Sequence, residues 1–230
     1  SSGASSKFNN ESKSIALACG SHSGSKLHSR EAFKILWEYD IDINNLKCPK
    51  SKTSPLEHNC SGKHAAFLAT CKKMNWPLDS YLKGDHPLQI EIFRIVSELL
   101  EIPSSEINAE RDDCGAPTLY LKLLEMSRLY SLLSSSENAE LEQISRAMAI
   151  NPIMISDNNK FDTEIIKASH GNVIGKGGAE GIQCLCKVNE GIGLALKVED
   201  GSKRAKHAVS LHLLKQLEWI SDLRIQDIEE

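Results

Sequence analysis

The chain has 230 residues, of which 40% are hydrophobic and 25% charged, with a formal net charge of −4. That balance supports a buried core, excludes a disordered chain, and with no large basic patch argues against nucleic acid as a partner. No run reaches the ~18–20 apolar residues of a membrane span, the first residues do not read as a signal peptide, and seven cysteines, an odd number, point to reduced thiols in a cytoplasmic protein rather than a disulfide framework.

The length fits one domain over residues 1–230, with a helical lobe over about 27–150 and a sheet with a closing helix over about 170–220. The opening Ser1-Ser2-Gly3-Ala4-Ser5-Ser6 reads either as a cloning scar or as native sequence. Residues 14–21 form a short apolar segment, helix or strand, that delivers Ser21-His22-Ser23-Gly24 to a loop. Ala32, Ile35, Leu36 and Tyr39 have helical spacing within 28–40. Residues 44–61 are loop-like, and Gly62 to Met74 reads as a helix. Asp85-His86-Pro87 is a helix start, followed by the stripe Leu88, Ile92, Ile95, Val96 and Leu99. Two more helices are predicted over 117–134 and 138–150, with Ser136 as a cap.

From residue 171 the period changes. Strands are predicted for Val173–Lys176, Ile182–Lys187 and Ile192–Val198, with a hairpin turn at Asn189-Glu190-Gly191. An amphipathic helix closes the chain, with Ala205, Ala208, Val209, Leu213 and Leu217 expected on its sheet-facing side. The basic cluster Lys203-Arg204-Ala205-Lys206 at its start is expected to face solvent. The fold class is α/β (α+β): helices first, then an antiparallel sheet with a terminal helix packed on it. Three strands are few for so much helical cover, so a further sheet partner is expected.

Four constellations could carry chemistry. Asn59-Cys60-Ser61-Gly62-Lys63-His64 offers an amide, a thiol, a hydroxyl, an amine and an imidazole at a helix start, where anions and thiolates are stabilised. An ordinary capped helix start, with Ser61 as cap and Lys63 in solvent, fits the same residues. Asp112-Asp113-Cys114-Gly115-Ala116-Pro117 puts two carboxylates beside a cysteine in a turn. A plain Asx-type turn with a buried Cys fits it too. Cys60 and Cys114 could share a metal, but without a paired CxxC arrangement the signal is weak. Gly175-Lys176-Gly177-Gly178 is neither a P-loop nor a dinucleotide fingerprint. A strand-end lysine among glycines could deprotonate a serine, or sit solvated in a Gly-rich turn. Ser21, between Gly20 and His22, is a candidate nucleophile or proton relay, or a capping serine in a polar turn. Cys184 and Cys186 share a strand face and read as core.

Together with Asp85-His86-Pro87 and Gly193-Leu194-Ala195-Leu196-Lys197-Val198-Glu199-Asp200-Gly201, these motifs resemble, in order and rough spacing, the asparaginase II family. This is the Rhizobium-type L-asparaginase of the serine–lysine kind, and the wording is most similar to cyanobacterial members. The resemblance implies a serine β-lactamase-like fold and hydrolysis of L-asparagine to L-aspartate and ammonia. It implies Ser21 and Lys176 as the second of two catalytic serine–lysine tandems. It implies zinc held by Cys60, Lys63 and Cys114, in a structural or substrate-binding role, and Asp112 as an acidic residue lining the same pocket. His22, Gly177 and Gly178 are expected to bind substrate, and backbone N–H groups near Lys176 to stabilise the oxyanion. A homodimer is expected.

The family's first tandem, Ser-x-x-Lys, has no counterpart in residues 1–20. Ser23-Gly24-Ser25-Lys26 has the spacing but follows Ser21, and reads as coincidence. The chain is therefore expected to lack an N-terminal segment, which would make Ser1–Ser6 native. Two other readings stay open: a β-lactamase-like serine hydrolase acting on another amide, and a non-catalytic zinc-binding remnant.

Overall fold

The computed structural model of the chain describes residues 12–221 apart from Lys52, together with Arg224 and Ile228. The Ser1–Ser6 stretch lies outside them. The chain divides into two compact units, Ser1–Leu121 and Lys122–Glu230.

Among the described residues, the first unit holds the α-helices α1 (Ser12–Ala18), α2 (Lys26–Glu38), α3 (Ser61–Met74) and α4 (Pro87–Leu100). The apolar run of α1 is helical and buries Ile15, Ala16 and Leu17. Those residues meet α3, whose small and apolar residues Ala65, Leu68, Ala69 and Cys71 are fully buried. Ala32, Ile35 and Leu36 of α2 complete this core at the predicted helical spacing. The α4 start follows its sequence signal. Pro87 takes the first helical position, and Nδ1 of His86 accepts the Leu88 N–H at 3.0 Å. The loop over 44–61 contains two 3₁₀ turns, Ile43–Asn45 and Pro55–Glu57.

One predicted helix begins later than expected. Residues 117–119 are not helical but form β2 (Pro117–Leu119), paired antiparallel with β1 (Ala109–Arg111) in the register Ala109↔Leu119. The turn between them is closed by Asp112 N–H to Ala116 O (2.9 Å) and Gly115 N–H to Asp112 O (2.8 Å). Gly115 has φ +87°, which a residue with a Cβ rarely adopts. This hairpin carries Asp112 and Cys114 at its tip.

The second unit contains α5 (Leu123–Ser134), α6 (Ala139–Ile150), α7 (Pro152–Ile155) and α8 (Phe161–Ala168). It also holds the sheet β3 (Val173–Gly177), β4 (Ile182–Lys187) and β5 (Ile192–Lys197), and the closing α9 (Lys203–Gln216). The α6 cap is Asn138, whose Oδ1 accepts the Leu141 N–H, rather than Ser136. The sheet is antiparallel in the order β3-β4-β5, with Lys176 opposite Cys184 and Leu185 opposite Leu194. Cys184 and Cys186 are buried on the central strand, as expected of core residues, and all seven cysteines are free thiols. The helices α5 and α6, read in sequence as part of a preceding helical lobe, group with the sheet. The reason is local: a Cβ on Gly193 would lie 2.2 Å from Ser127 O and 2.3 Å from Ser131 N, so α5 lies directly on β5.

The closing helix does pack on the sheet, through a different face. Its buried residues are Lys206, Ser210, Leu211 and Leu214, while Val209 and Leu217 are exposed. Leu211 and Leu214 join Ile165, Val173, Leu185, Trp219 and Ile220 in one apolar cluster. Two polar residues on the inner face hid its true register. The mixed α+β class thus holds, and no helix of the described residues is long and apolar enough to cross a membrane.

Candidate metal centre and active-site residues

Cys60 lies at the N-cap of α3, with Ser61 as the first helical residue. The tip of the β1–β2 hairpin brings Asp112 and Cys114 against it. Ligand atoms of Cys60, Asp112 and Cys114 all lie within 4.8 Å of one another. Lys63, one turn into α3, places Nζ 3.8 Å from Asp112 Oδ2. Four residues singled out in sequence, from two distant segments, therefore meet in one place.

The electrostatics of the cluster follow from sharing protons in partial burial. Cys114 is held well below the ordinary thiol range, chiefly by a hydrogen bond from Cys60, and despite burial, with His64 and the Ala116 backbone also helping. Cys60, as the donor, is pushed far up by the same bond and by burial. The two sulfurs thus titrate as a pair, Cys60 the donor and Cys114 the acceptor of one hydrogen bond. Burial pulls Lys63 down, but the neighbouring Cys60, Cys114 and Asp112 together outweigh it and its pKa is raised. Without a metal, Lys63 is an ammonium paired with Asp112.

The surroundings fix these groups. Lys47 N–H donates to Tyr81 Oη at 2.9 Å, and the Tyr81 hydroxyl and His64 Nδ1 share a hydrogen bond of 2.7 Å. His64 Nε2 is buried without an ordinary hydrogen-bond partner, while the ring helps to lower the Cys114 pKa. Nδ1 of His58 accepts the Cys60 N–H at 3.1 Å. Burial lowers the His58 pKa, which suits an imidazole acting as an acceptor.

Two sulfurs on a tetrahedral zinc stand about 3.8 Å apart at ordinary Zn–S lengths. The sulfur and oxygen atoms all lie within 4.8 Å of one another, the scale of that spacing, and thiolate with carboxylate is a donor set zinc accepts. The residues present therefore fit the ion. Asp112, expected to line the substrate pocket, stands with the two sulfurs.

Ser21 and His22 sit in the loop after α1, tied to the segment before α3. The Asn59 side chain donates to Ser21 Oγ at 3.0 Å, and His22 N–H donates to Asn59 O at 3.2 Å. His22 is buried, and its Nδ1 accepts the Gly24 N–H. Its Nε2 is then the donor to Ser61 Oγ at 3.2 Å, and Ser61 passes its own proton to Leu56 O at 2.8 Å. Both ring nitrogens of His22 thus face protein groups, and the ring stacks on His28. It links two loops rather than presenting itself to a ligand. Ser25 is the N-cap of α2, in hydrogen-bond contact with His28, which accounts for the serine of Ser23-Gly24-Ser25-Lys26.

Lys176 and Gly177 end β3 in the second unit, and Gly178 follows them. The Lys176 ammonium donates to Gly177 O. The two backbone donors expected to serve an oxyanion are already taken: Gly177 N–H by Asp162 Oδ2 at 2.8 Å, and Gly178 N–H by Ile182 O at 2.9 Å. Asp162, Gln183 and Lys206 escaped the sequence reading. Lys206, assigned to a solvated cluster, is only 7% exposed. Its i, i+4, i+5 and i+8 spacing with Ser210, Leu211 and Leu214 was the available signal.

A family model described as L-asparaginase II matches the chain over residues 1–230. Among curated proteins, none matches it significantly.

Proposed function

Because the chain belongs to the L-asparaginase II family, we propose that it hydrolyses the side-chain amide of L-asparagine to L-aspartate and ammonia by serine–lysine chemistry. The observation that carries this reading is the meeting of Cys60, Lys63, Asp112 and Cys114, the residues that the resemblance assigns to one site.

A serine hydroxyl attacks the amide carbon while a neutral lysine amine takes its proton. Ammonia departs carrying a proton, and water releases L-aspartate from the acyl-enzyme. Ser21 and Lys176 supply one hydroxyl and one amine to this chemistry, as the second of its two serine–lysine tandems. Because Ser21 Oγ accepts from Asn59, its own proton is free to be given to a base. The Lys176 amine rests on the Gly177 carbonyl and must lose a proton before it acts.

Cys60 and Cys114 would hold zinc, with Lys63 and Asp112 beside them. A bound zinc ion would order the site and act as a Lewis acid toward a carbonyl oxygen. For Lys63 to be a ligand it must release its proton, which a nearby divalent cation favours by repulsion. A cytoplasmic homodimer belongs to the same proposal.

The test is ammonia release from L-asparagine by the chain and by the product of its whole coding sequence, each beside Ser21→Ala and Lys176→Ala. Loss of turnover in both variants is expected. Full activity in either would remove that residue from the mechanism.

A further inference from the structure

Gly177 is surrounded by polar groups that the proposed chemistry does not use. Asp162, from α8, accepts the Gly177 N–H with Oδ2 at 2.8 Å and the Gln183 side-chain amide with Oδ1 at 2.8 Å. Gln183 is fully buried, and its Oε1 has no hydrogen-bond partner. A Cβ on Gly177 would stand 2.8 Å from Lys206 Nζ, 3.2 Å from Gln183 Oε1 and 3.3 Å from Asp162 Oδ2. Three polar groups from α8, β4 and α9 thus close over the glycine. On its other side the Gly177 carbonyl receives the Lys176 ammonium.

A strand end followed by glycine has little conformational restraint of its own. The peptide after Gly177 is held by the backbone, through Gly178 N–H to Ile182 O, and the one before it by a side chain: the Gly177 N–H is bound by a carboxylate that Gln183 holds in turn. A charge-assisted hydrogen bond to a backbone N–H is among the stronger bonds available for that purpose. The peptide that it fixes is the one joining Lys176 to Gly177, which carries the Cα from which the lysine side chain departs.

We infer that Asp162 is a positioning residue for Lys176: by clamping the peptide that joins Lys176 to Gly177 it sets where the lysine amine sits. This rests on the reading of Lys176 as the lysine of an amide hydrolase. The clamp works through hydrogen bonding, so an asparagine can replace it. In Asp162→Asn the side-chain oxygen would stay on Gly177 N–H, and the new amide would find the vacant Gln183 Oε1 after a flip of the Gln183 side chain.

The experiment compares the wild-type chain with Asp162→Ala and Asp162→Asn by two readouts. The first is steady-state hydrolysis of L-asparagine. Asp162→Ala is expected to lower kcat by about tenfold or more with KM within about twofold, as misplacement of a reacting group does. Asp162→Asn is expected to recover most of that loss. The second readout needs no turnover: labelling of Lys176 by acetic anhydride, measured by peptide mass against the exposed Lys203. Asp162→Ala should label Lys176 several-fold faster, and Asp162→Asn at nearly the wild-type rate. If the alanine variant does not fold, Asp162→Glu, which displaces the carboxylate from Gly177, takes its place with the same expectation.

Equal Lys176 labelling in all variants would overturn the inference, as would an asparagine variant as impaired as the alanine. A wild-type enzyme that releases no ammonia would overturn the proposed function instead, and labelling alone would then decide the clamp.

Discussion

Gly62→Ala tests the packing that places the thiol cluster. Gly62 lies in the first turn of α3, two residues after Cys60. A Cβ there would be 2.5 Å from Leu17 O, 2.6 Å from Leu17 Cγ and 2.8 Å from Leu17 C. Two of those atoms are α1 backbone and cannot rotate aside, so α1 and α3 must part by about 1 Å to reach ordinary contact. Overpacking of this kind costs about 1–3 kcal/mol, against at most about 1 kcal/mol gained by replacing glycine in a helix. Because two of the clashing atoms are backbone, the cost falls at the upper end of that range, about 2–3 kcal/mol, and the net loss of about 1–2 kcal/mol should lower the melting temperature by about 2–8 °C for a chain of this size. The assay is thermal unfolding by circular dichroism, with Gly84→Ala as control, because nothing lies within 4 Å of a Cβ at Gly84. The control should change stability by no more than about 0.5 kcal/mol. The same displacement moves Cys60, so zinc affinity should fall with Tm. A Gly62→Ala protein as stable as wild type, with unchanged zinc affinity, would refute the close approach of α1 and α3.

Three further outcomes are expected. The purified chain should bind zinc in stoichiometric amount, and a Cys60→Ser, Cys114→Ser double variant should bind none by elemental analysis; zinc that persists there would sink the ligand set. Asn59→Ala removes the donor to Ser21 Oγ and should lower kcat by about tenfold while leaving the fold intact, so an unchanged kcat with unchanged Tm would show that the bond is idle. Alkaline stability should be limited by buried thiols. Burial pushes Cys184 up to about 11 and Cys186 up to about 12 from an ordinary 9.0, so both are protonated in the native state where the unfolded chain has lost its protons. The unfolded state then binds fewer protons, and stability falls as pH rises from about 9 through 11–12. A urea midpoint at pH 10.5 should lie below that at pH 8, and Cys184→Ala should flatten the difference; a flat profile in the wild type would contradict it.

Much of the fold was legible in periodicity. The stripes of α2 and α4 and the alternation of Ile192, Leu194 and Leu196 in β5 gave their positions closely, because each is long enough to show its period and is bounded by capping or turn residues. The β1–β2 hairpin was not legible, since three-residue strands have no readable alternation and Leu123 to Ser134 drew the helix prediction back across Pro117. The inner face of α9 was missed because Lys206 and Ser210 occupy positions that hydrophobicity assigns to solvent. For the site, the sequence supplied the chemically able residues but not their meeting. Nothing in the spacing of Cys60 and Cys114 says that a hairpin tip returns to the start of α3. Asp162 was invisible for a related reason: a carboxylate in the first turn of a helix reads as a solvated, dipole-matched residue, and its bond to Gly177 exists only in the folded unit.

The measurement that bears most directly on the amidohydrolase claim is the product balance on L-asparagine. Incubated with the substrate, the enzyme should yield L-aspartate and ammonia in equal amounts, at a rate proportional to enzyme concentration. Absence of both products, from the chain and from the product of its whole coding sequence alike, would contradict it.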